Sequence, residues 1–266
     1  KQISMKRRVR IILQATFLLA VLGTTVQAQP VAVTDVQNNS TDFIEVGELV
    51  YFRAGEALWR TNGTPAGTIQ LRSAGFGTEF NQSIGWQDSA RARHFNGRAY
   101  LVNYHATELW RSDGTPSGTI LLKTSTSSDI RILGATGTYL FFVATDPATG
   151  QEVYRTDGTT SGTILLKDVY PGSESGYRGV SAAVNNTEFF FAGNNGADGT
   201  ELWKTNGTPA GTVMVVDINP GPPDGFASGT NGYSFKNLFF FRGNTPDTGM
   251  EPWVSDGTRV LSERRA

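Results

Sequence analysis

The sequence has no cysteine and only two histidines, His94 and His105, in 266 residues. The first absence excludes disulfides and cysteine-ligated zinc, and the second leaves little from which to build a metal centre. An excess of one charge is also missing, with 23 Lys and Arg against 24 Asp and Glu. There is no H-E-x-x-H motif, no Ser/His/Asp arrangement and no Gly-rich strand-to-helix loop to cradle a phosphate. The familiar zinc, nucleophilic and nucleotide signatures of enzymes are therefore lacking.

Long apolar runs are scarce as well. The one near the start, Ile11 to Leu22, follows Met5 and the basic residues Lys6, Arg7, Arg8 and Arg10, and precedes Val26-Gln27-Ala28. That order of charged, apolar and small residues predicts a secretory signal peptide over 1–28, starting at Met5 and cleaved after Ala28. The run is too short for a spanning helix of about 20 residues, so no membrane span is expected after cleavage. The leader holds Lys1, Lys6, Arg7, Arg8 and Arg10 and no acid, so without it the formal charge falls from −1 to −6. An acidic chain without Lys/Arg clusters is a poor match to nucleic acid, whose binders neutralise phosphates with a basic face.

What the chain has in abundance is one phrase repeated. ALWRTNGTPAGT (57–68), ELWRSDGTPSGT (108–119), EVYRTDGTTSGT (152–163), ELWKTNGTPAGT (201–212) and EPWVSDGT (251–258) are five copies. Their aromatic anchors Trp59, Trp110, Tyr154, Trp203 and Trp253 are spaced by 51, 44, 49 and 50 residues. That period suits repeats that each form one four-stranded propeller blade, roughly 40 to 50 residues long. Within the fourth copy, strands are expected over 179–184, 187–192, 201–205 and 212–218, with two-residue Asn-Gly or Asp-Gly hairpins between the last pair of strands in each unit. The expected fold is an all-β propeller of five visible blades over 29–258, followed by an unpatterned or truncated tail, 259–266. The fifth unit shows no fourth strand of its own, so Pro30 to Val36, ending in Thr34-Asp35-Val36, is expected to pair into the last blade and close the ring. A larger ring with further repeats remains the alternative.

These copies, with Asp168-Val169-Tyr170-Pro171-Gly172 and Asp217-Ile218-Asn219-Pro220-Gly221 after strand four, resemble the ELWxxDGT-repeat proteins of bacterial exported and surface proteins. The resemblance covers nearly all of 31–258 and departs from the pattern at Ala57, Tyr154 and Pro252. It implies export to the periplasm, cell surface or medium and a propeller-like β fold, and it brings no catalytic residues with it.

Among the chemical candidates, Asp113, Asp157 and Asp256 are read as turn residues, because the same place is Asn62 and Asn206 in the other copies and an amide replaces a carboxylate in a turn but not as a base. Glu108, Glu152, Glu201 and Glu251 are expected to form exposed pairs with neighbouring blades, each worth under about 1 kcal/mol. His94, beside the Asn96-Gly97 turn, and His105, in a link between strands two and three, fall at opposite ends of the ring and share no site. The links of the His105 end vary between copies, and variable loops on a rigid scaffold are where binding resides. The ligand-binding candidates there are Trp86, Asp88, Tyr104, His105, Tyr170 and Tyr177, with Phe76 and Phe80 beside them. Packing of the long 73–88 link is an equally good reading of Phe76 and Trp86. No cofactor is implied, except that Asp146, Asp198 and Asp247 in equivalent loops are candidate calcium ligands.

The sequence therefore points to an exported, monomeric, non-catalytic module that binds a glycan, a peptide or a surface protein. The alternative is a propeller-type glycan-acting hydrolase or lyase using acids among Asp88, Asp146, Asp198 and Asp247, which requires two carboxylates facing one another.

Overall fold

The computed structural model describes residues 40–76, 90–227, 232–258 and 260–262, with side chains described from Phe43 to Thr258. The predicted signal peptide and the segment Pro30 to Val36 lie outside them. The described residues contain no helix and form five four-stranded antiparallel sheets, the blades of a β-propeller. Blade 1 comprises β1 (Ser40–Val46), β2 (Leu49–Ala54), β3 (Ala57–Thr61) and β4 (Ile69–Arg72). Blade 2 comprises β5 (Ala92–Phe95), β6 (Arg98–Val102), β7 (Glu108–Ser112) and β8 (Ile120–Thr124). Blade 3 is built from β9 (Arg131–Ala135), β10 (Leu140–Asp146), β11 (Gly150–Thr156) and β12 (Ile164–Leu165), and blade 4 from β13 (Tyr177–Ala183), β14 (Phe189–Asn194), β15 (Thr200–Thr205) and β16 (Val213–Val216). Blade 5 has β17 (Tyr233–Phe235), β18 (Leu238–Thr245), β19 (Gly249–Ser255) and β20 (Val260–Ser262). The first strands of successive blades lie side by side, β1 against β5, β5 against β9, β9 against β13 and β13 against β17.

β20 corrects the expectation that the fifth unit lacks a fourth strand. Ser255 pairs with Val260, Val254 with Leu261 and Trp253 with Ser262. A short Val-Leu segment needs no alternating pattern to add to the unpaired edge that β19 offers.

Four apolar clusters join adjacent blades, one per joint. Tyr51 and Leu58 of blade 1 meet Leu101 and Trp110 of blade 2. Further round, Tyr100 meets Phe142 and Tyr154, Phe141 meets Phe189 and Trp203, and Phe190 meets Phe239 and Trp253. Four of the five anchor aromatics, Trp110, Tyr154, Trp203 and Trp253, are thus inter-blade core. Burial between two sheets accounts for their recurrence through hydrophobic area alone.

The repeated phrase folds into a seven-residue loop, not the expected two-residue hairpin. Only its first glycine takes positive φ, 88° at Gly63 and Gly114, 91° at Gly158 and 87° at Gly207. The loop is long because two hydroxyls seven residues apart pair across its base: Thr61 with Thr68, Ser112 with Thr119, Thr156 with Thr163 and Thr205 with Thr212, all within 2.8 Å. The Asx side chain then fills the middle. Asp113 Oδ1 accepts from the Thr115 N–H at 2.9 Å and the Thr115 hydroxyl at 2.7 Å, as Asn62 does from Thr64, Asp157 from Thr159 and Asn206 from Thr208. Amide and carboxylate do the same work, which is the turn role read from the sequence. Two-residue hairpins with both central φ positive do occur elsewhere, at Asn96-Gly97 and Lys236-Asn237.

Candidate functional site

The two ends of the propeller are chemically different. At the phrase end, the repeated polar groups bond one another and the neighbouring blade. Arg60 donates from Nε to the Gly114 carbonyl of blade 2 at 3.0 Å and from Nη1 to the Gly67 carbonyl of its own loop at 2.7 Å. The Thr115 hydroxyl holds the Asp113 carboxyl below the usual carboxylate range. These groups are committed to the scaffold.

The glutamates of the phrase also belong to the scaffold, in a way the sequence reading did not anticipate. Glu152 and Glu201 are fully buried instead of forming exposed pairs. Each clamps the crossover to the next blade by accepting backbone N–H groups. Glu152 Oε1 accepts from Val169 at 3.2 Å and Tyr170 at 3.3 Å, while Glu201 accepts from Ile218 at 2.9 Å on Oε2 and from Gly225 at 2.8 Å on Oε1. A Cβ on Gly176 would lie 2.2 Å from Glu152 Oε1, and one on Gly225 2.4 Å from Glu201 Oε1, so both crossovers need glycine there. Burial pushes the carboxyl of Glu152 up to about 8 and that of Glu201 up to about 7, against the backbone donors that pull the other way. Glu108, whose blade has a different crossover, instead accepts from Trp110 Nε1 at 2.9 Å. The signal for these clamps lay in the matched segments 168–177 and 217–226, which share Asp, Pro-Gly and a later glycine before an aromatic residue.

The opposite end carries these clamped crossovers and, beside them, groups that are not repeated, several of which gather between blades 2 and 3. Tyr104 and His105 sit in the 103–107 link, their rings edge to face with centres 5.2 Å apart. The Arg53 guanidinium lies 5.1 Å over Tyr104, and Arg91 donates to the carbonyls of Asn103 at 3.2 Å and Tyr104 at 3.1 Å. Arg91 also lines a pocket of about 380 Å³ together with Ala106, Asp129, Ile130, Arg131 and Gln151. This volume falls at the small end of the range for ligand sites, about 300 to 1,000 Å³. The polar wall is held in place: Asp129 accepts from Ser125 at 2.7 Å, from Gln151 Nε2 at 2.8 Å and from the Thr145 hydroxyl. Arg131 lies over the ring of Tyr177 at 6.0 Å, and its guanidinium has no hydrogen-bond partner among the described residues. The pocket thus sets a cation without a hydrogen bond among the described residues beside a carboxylate that already accepts three.

Of the sequence-predicted binding residues, the structure brings Tyr104 and His105 together. Trp86, Asp88 and Phe80 lie outside the described residues. Tyr177 does not face solvent; it is 4 % exposed in the core joining blades 3 and 4, because it begins an inner strand against which the preceding blade packs. Tyr170 belongs to the blade 3 to 4 crossover, where its ring packs against Gly196. Phe76 is fully buried against Trp110, as the packing reading held.

The calcium candidates stand on three separate blades. Asp146 lies 3.9 Å from Lys123 Nζ and accepts the Ala148 N–H, Asp198 accepts from Asn195 Nδ2 at 2.7 Å, and Asp247 is exposed. Among the described residues no three His, Asp or Glu gather as metal ligands. Arg53, Arg91, Arg131 and Gln151 were not singled out from sequence. The hint was their position, since Arg91 and Arg131 each directly precede an inner-strand residue, Ala92 or Ile132, paired opposite Leu101 or Phe142.

No family model matches the chain, and no curated protein matches it. Among solved structures, a putative TolB from Agrobacterium tumefaciens is 10% identical with a TM-score of 0.39, over 86% of this chain and 82% of that one. A chain of a nidogen/laminin complex is 10% identical with a TM-score of 0.37, over 84% of this chain and 78% of that one. A puromycin-hydrolyzing peptidase from Mycobacterium tuberculosis is 13% identical with a TM-score of 0.40, over 90% of this chain but only 41% of its own. Nothing about activity, ligand or partner follows at such identities. No helix among the described residues is long and apolar enough to cross a membrane.

Proposed function

We propose that the chain is an exported, non-catalytic binding module of the ELWxxDGT-repeat kind, acting at or beyond the cell envelope through the non-repeated end of its propeller. The observation that carries this reading is the division of labour between the two ends. At the phrase end hydroxyls and Asx side chains bond within the scaffold, whereas at the other end, beside the buried glutamate clamps, the unrepeated Arg91, Arg131 and Gln151 line the pocket between blades 2 and 3, and Arg91 also holds the carbonyl of Tyr104, whose ring meets His105. Loops on a rigid β scaffold are where recognition is usually placed. An aromatic ring beside guanidinium and amide donors suits a glycan or peptide bearing acceptor groups.

A non-catalytic role is favoured because Asp129 is the one carboxylate lining the pocket among the described residues, and both its oxygens already accept hydrogen bonds. Glycan hydrolysis by acid and base calls for two facing carboxyls. The test is a glycan and peptide array probed with the chain, with Tyr104→Ala and Arg131→Gln as controls, in calcium and in chelator. Binding that both controls lose is the expected result. Binding that neither affects places recognition elsewhere and overturns the assignment of this end.

A further inference from the structure

The pocket between blades 2 and 3 has a net positive lining. Its side chains carry two positive charges, Arg91 and Arg131, against one negative, Asp129, in a chain whose basic and acidic residues otherwise balance. The two arginines hold one place on adjacent inner strands: Arg91 directly precedes Ala92, paired opposite Leu101, and Arg131 directly precedes Ile132, paired opposite Phe142. The fold does not require a cation there, since in blade 4 the residue before Ser181, paired opposite Phe191, is Val180. Two guanidiniums at one pocket repel each other, and an anion bound beside them offsets that cost.

The walls are fixed before any ligand arrives. The Ile132 N–H donates to the Ala90 carbonyl at 2.7 Å and the Ile130 N–H to the Ala106 carbonyl at 2.8 Å, tying blade 3 to blade 2 on both sides of Arg131. Arg91 is held through Nη1 by the carbonyls of Asn103 and Tyr104. Arg131 is exposed and rests over the Tyr177 ring, a contact that steadies a guanidinium without accepting a conventional hydrogen bond from it. A planar guanidinium so placed can grip a carboxylate through two parallel N–H bonds. Asp129 already commits its oxygens to Ser125, Thr145 and Gln151 Nε2. With Nε2 donating to Asp129, Gln151 keeps its amide oxygen as an acceptor, and the exposed Ser128 adds a hydroxyl to the lining.

We infer that this pocket takes the carboxylate-bearing ring of an acidic glycan, a hexuronate unit, with Arg131 on the carboxylate, Arg91 as the second positive charge, and Gln151 Oε1 and the Ser128 hydroxyl on ring hydroxyls. The inference rests on the assignment of binding to this end and names what is bound there. The polar groups favour a sugar acid over an acidic peptide: hydroxyls next to the carboxylate meet an acceptor and a hydroxyl that an Asp or Glu side chain leaves unmatched. A cavity of about 380 Å³ suits one such ring.

The test is titration calorimetry of the full chain, in chelator, with oligosaccharides of galacturonate, mannuronate and glucuronate, each beside its carboxyl-reduced counterpart, and with a Glu-rich peptide. At least one uronate is expected to bind about ten- to a hundred-fold more tightly than its reduced form. Arg131→Gln, with the melting temperature of the wild type, is expected to erase that preference while affinity for the reduced form stays put, and Arg131→Lys to restore part of it. Acid and reduced forms bound alike, both weakened by Arg131→Gln, overturn the inference and leave the binding end standing. A preference for the acid that survives Arg131→Gln, a peptide bound more tightly than any uronate, or a panel in which no uronate binds also overturns it. Whether this end binds any ligand is read separately, from the wider glycan and peptide array.

Discussion

Lys167 holds its ammonium 5.5 Å over the ring of Trp203, reaching from the end of blade 3 to the anchor aromatic of blade 4. The same reach recurs from Arg72 to Trp110 at 4.7 Å and from Lys123 to Tyr154 at 5.0 Å. At the last joint Val216 replaces the cation and packs with Trp253 in the apolar cluster. One rung of cation on ring therefore locks three of the four joints, and Val216 seals the fourth by hydrophobic contact.

The rung sets the order of two substitutions. Lys167→Ala is expected to lower the unfolding free energy by about 0.5 to 1 kcal/mol, and Trp203→Ala by about 3 to 5 kcal/mol through the cavity it leaves. Urea unfolding measures both. The double variant should be no less stable than Trp203→Ala alone, because the ammonium then has no ring to face.

The phrase loop makes a sharper discrimination. Asp157→Asn should be nearly neutral, since Asn62 and Asn206 already serve in that place, whereas Asp157→Ala should cost about 1 kcal/mol with the loss of its bonds to Thr159. Gly162→Ala should cost about 1 to 3 kcal/mol, because its Cβ would fall 2.1 Å from Asp157 Oδ1. Equal losses for Asp157→Asn and Asp157→Ala in denaturant unfolding would mean that the charge, not the acceptor, matters there.

The buried glutamates predict a pH dependence of definite sign. The Glu152 carboxyl titrates about 8 in the fold against an ordinary 4.5, so between those values the folded chain keeps a proton that the unfolded chain has lost. Its stabilising contribution is fully present below 4.5 and is lost as pH rises through 8; Glu201 behaves alike, through about 7. Unfolding free energy should accordingly fall from pH 5 to pH 8. Glu152→Gln and Glu201→Gln should flatten that fall, and an unchanged slope in both would contradict the assignment.

Much of this architecture was legible in the sequence because the repeat reports on itself. Asn62 and Asn206 in the place of Asp113 and Asp157 revealed a turn residue, and the anchor aromatics revealed a joint. The periodicity could not show that Glu152 and Glu201 point inward, since an isolated charge pattern reads as surface until the crossover that clothes it is seen. Nor could it show β20, whose three residues pair through backbone alone. At the His105 end the reverse held. Tyr104 and His105 stood out as unrepeated aromatic and polar residues in a variable link, but Arg91 and Arg131 each looked like one more arginine until the blades brought them to one pocket, and Arg53 until it lay over Tyr104. Tyr177 looked like a loop residue and proved to be core, because the inner strand starts two residues earlier than the expected 179.

The division between a scaffolding end and a binding end is the claim on which the account rests. It is tested most directly by measuring, for one ligand recovered from the array, both affinity and melting temperature across two sets of alanine variants. Tyr104→Ala, His105→Ala and Arg131→Ala should weaken binding while the melting temperature stays put, and Asp113→Ala and Gly118→Ala should lower the melting temperature while the folded protein binds as before. Binding lost from the phrase-end variants with the His105-end variants unaffected would contradict it.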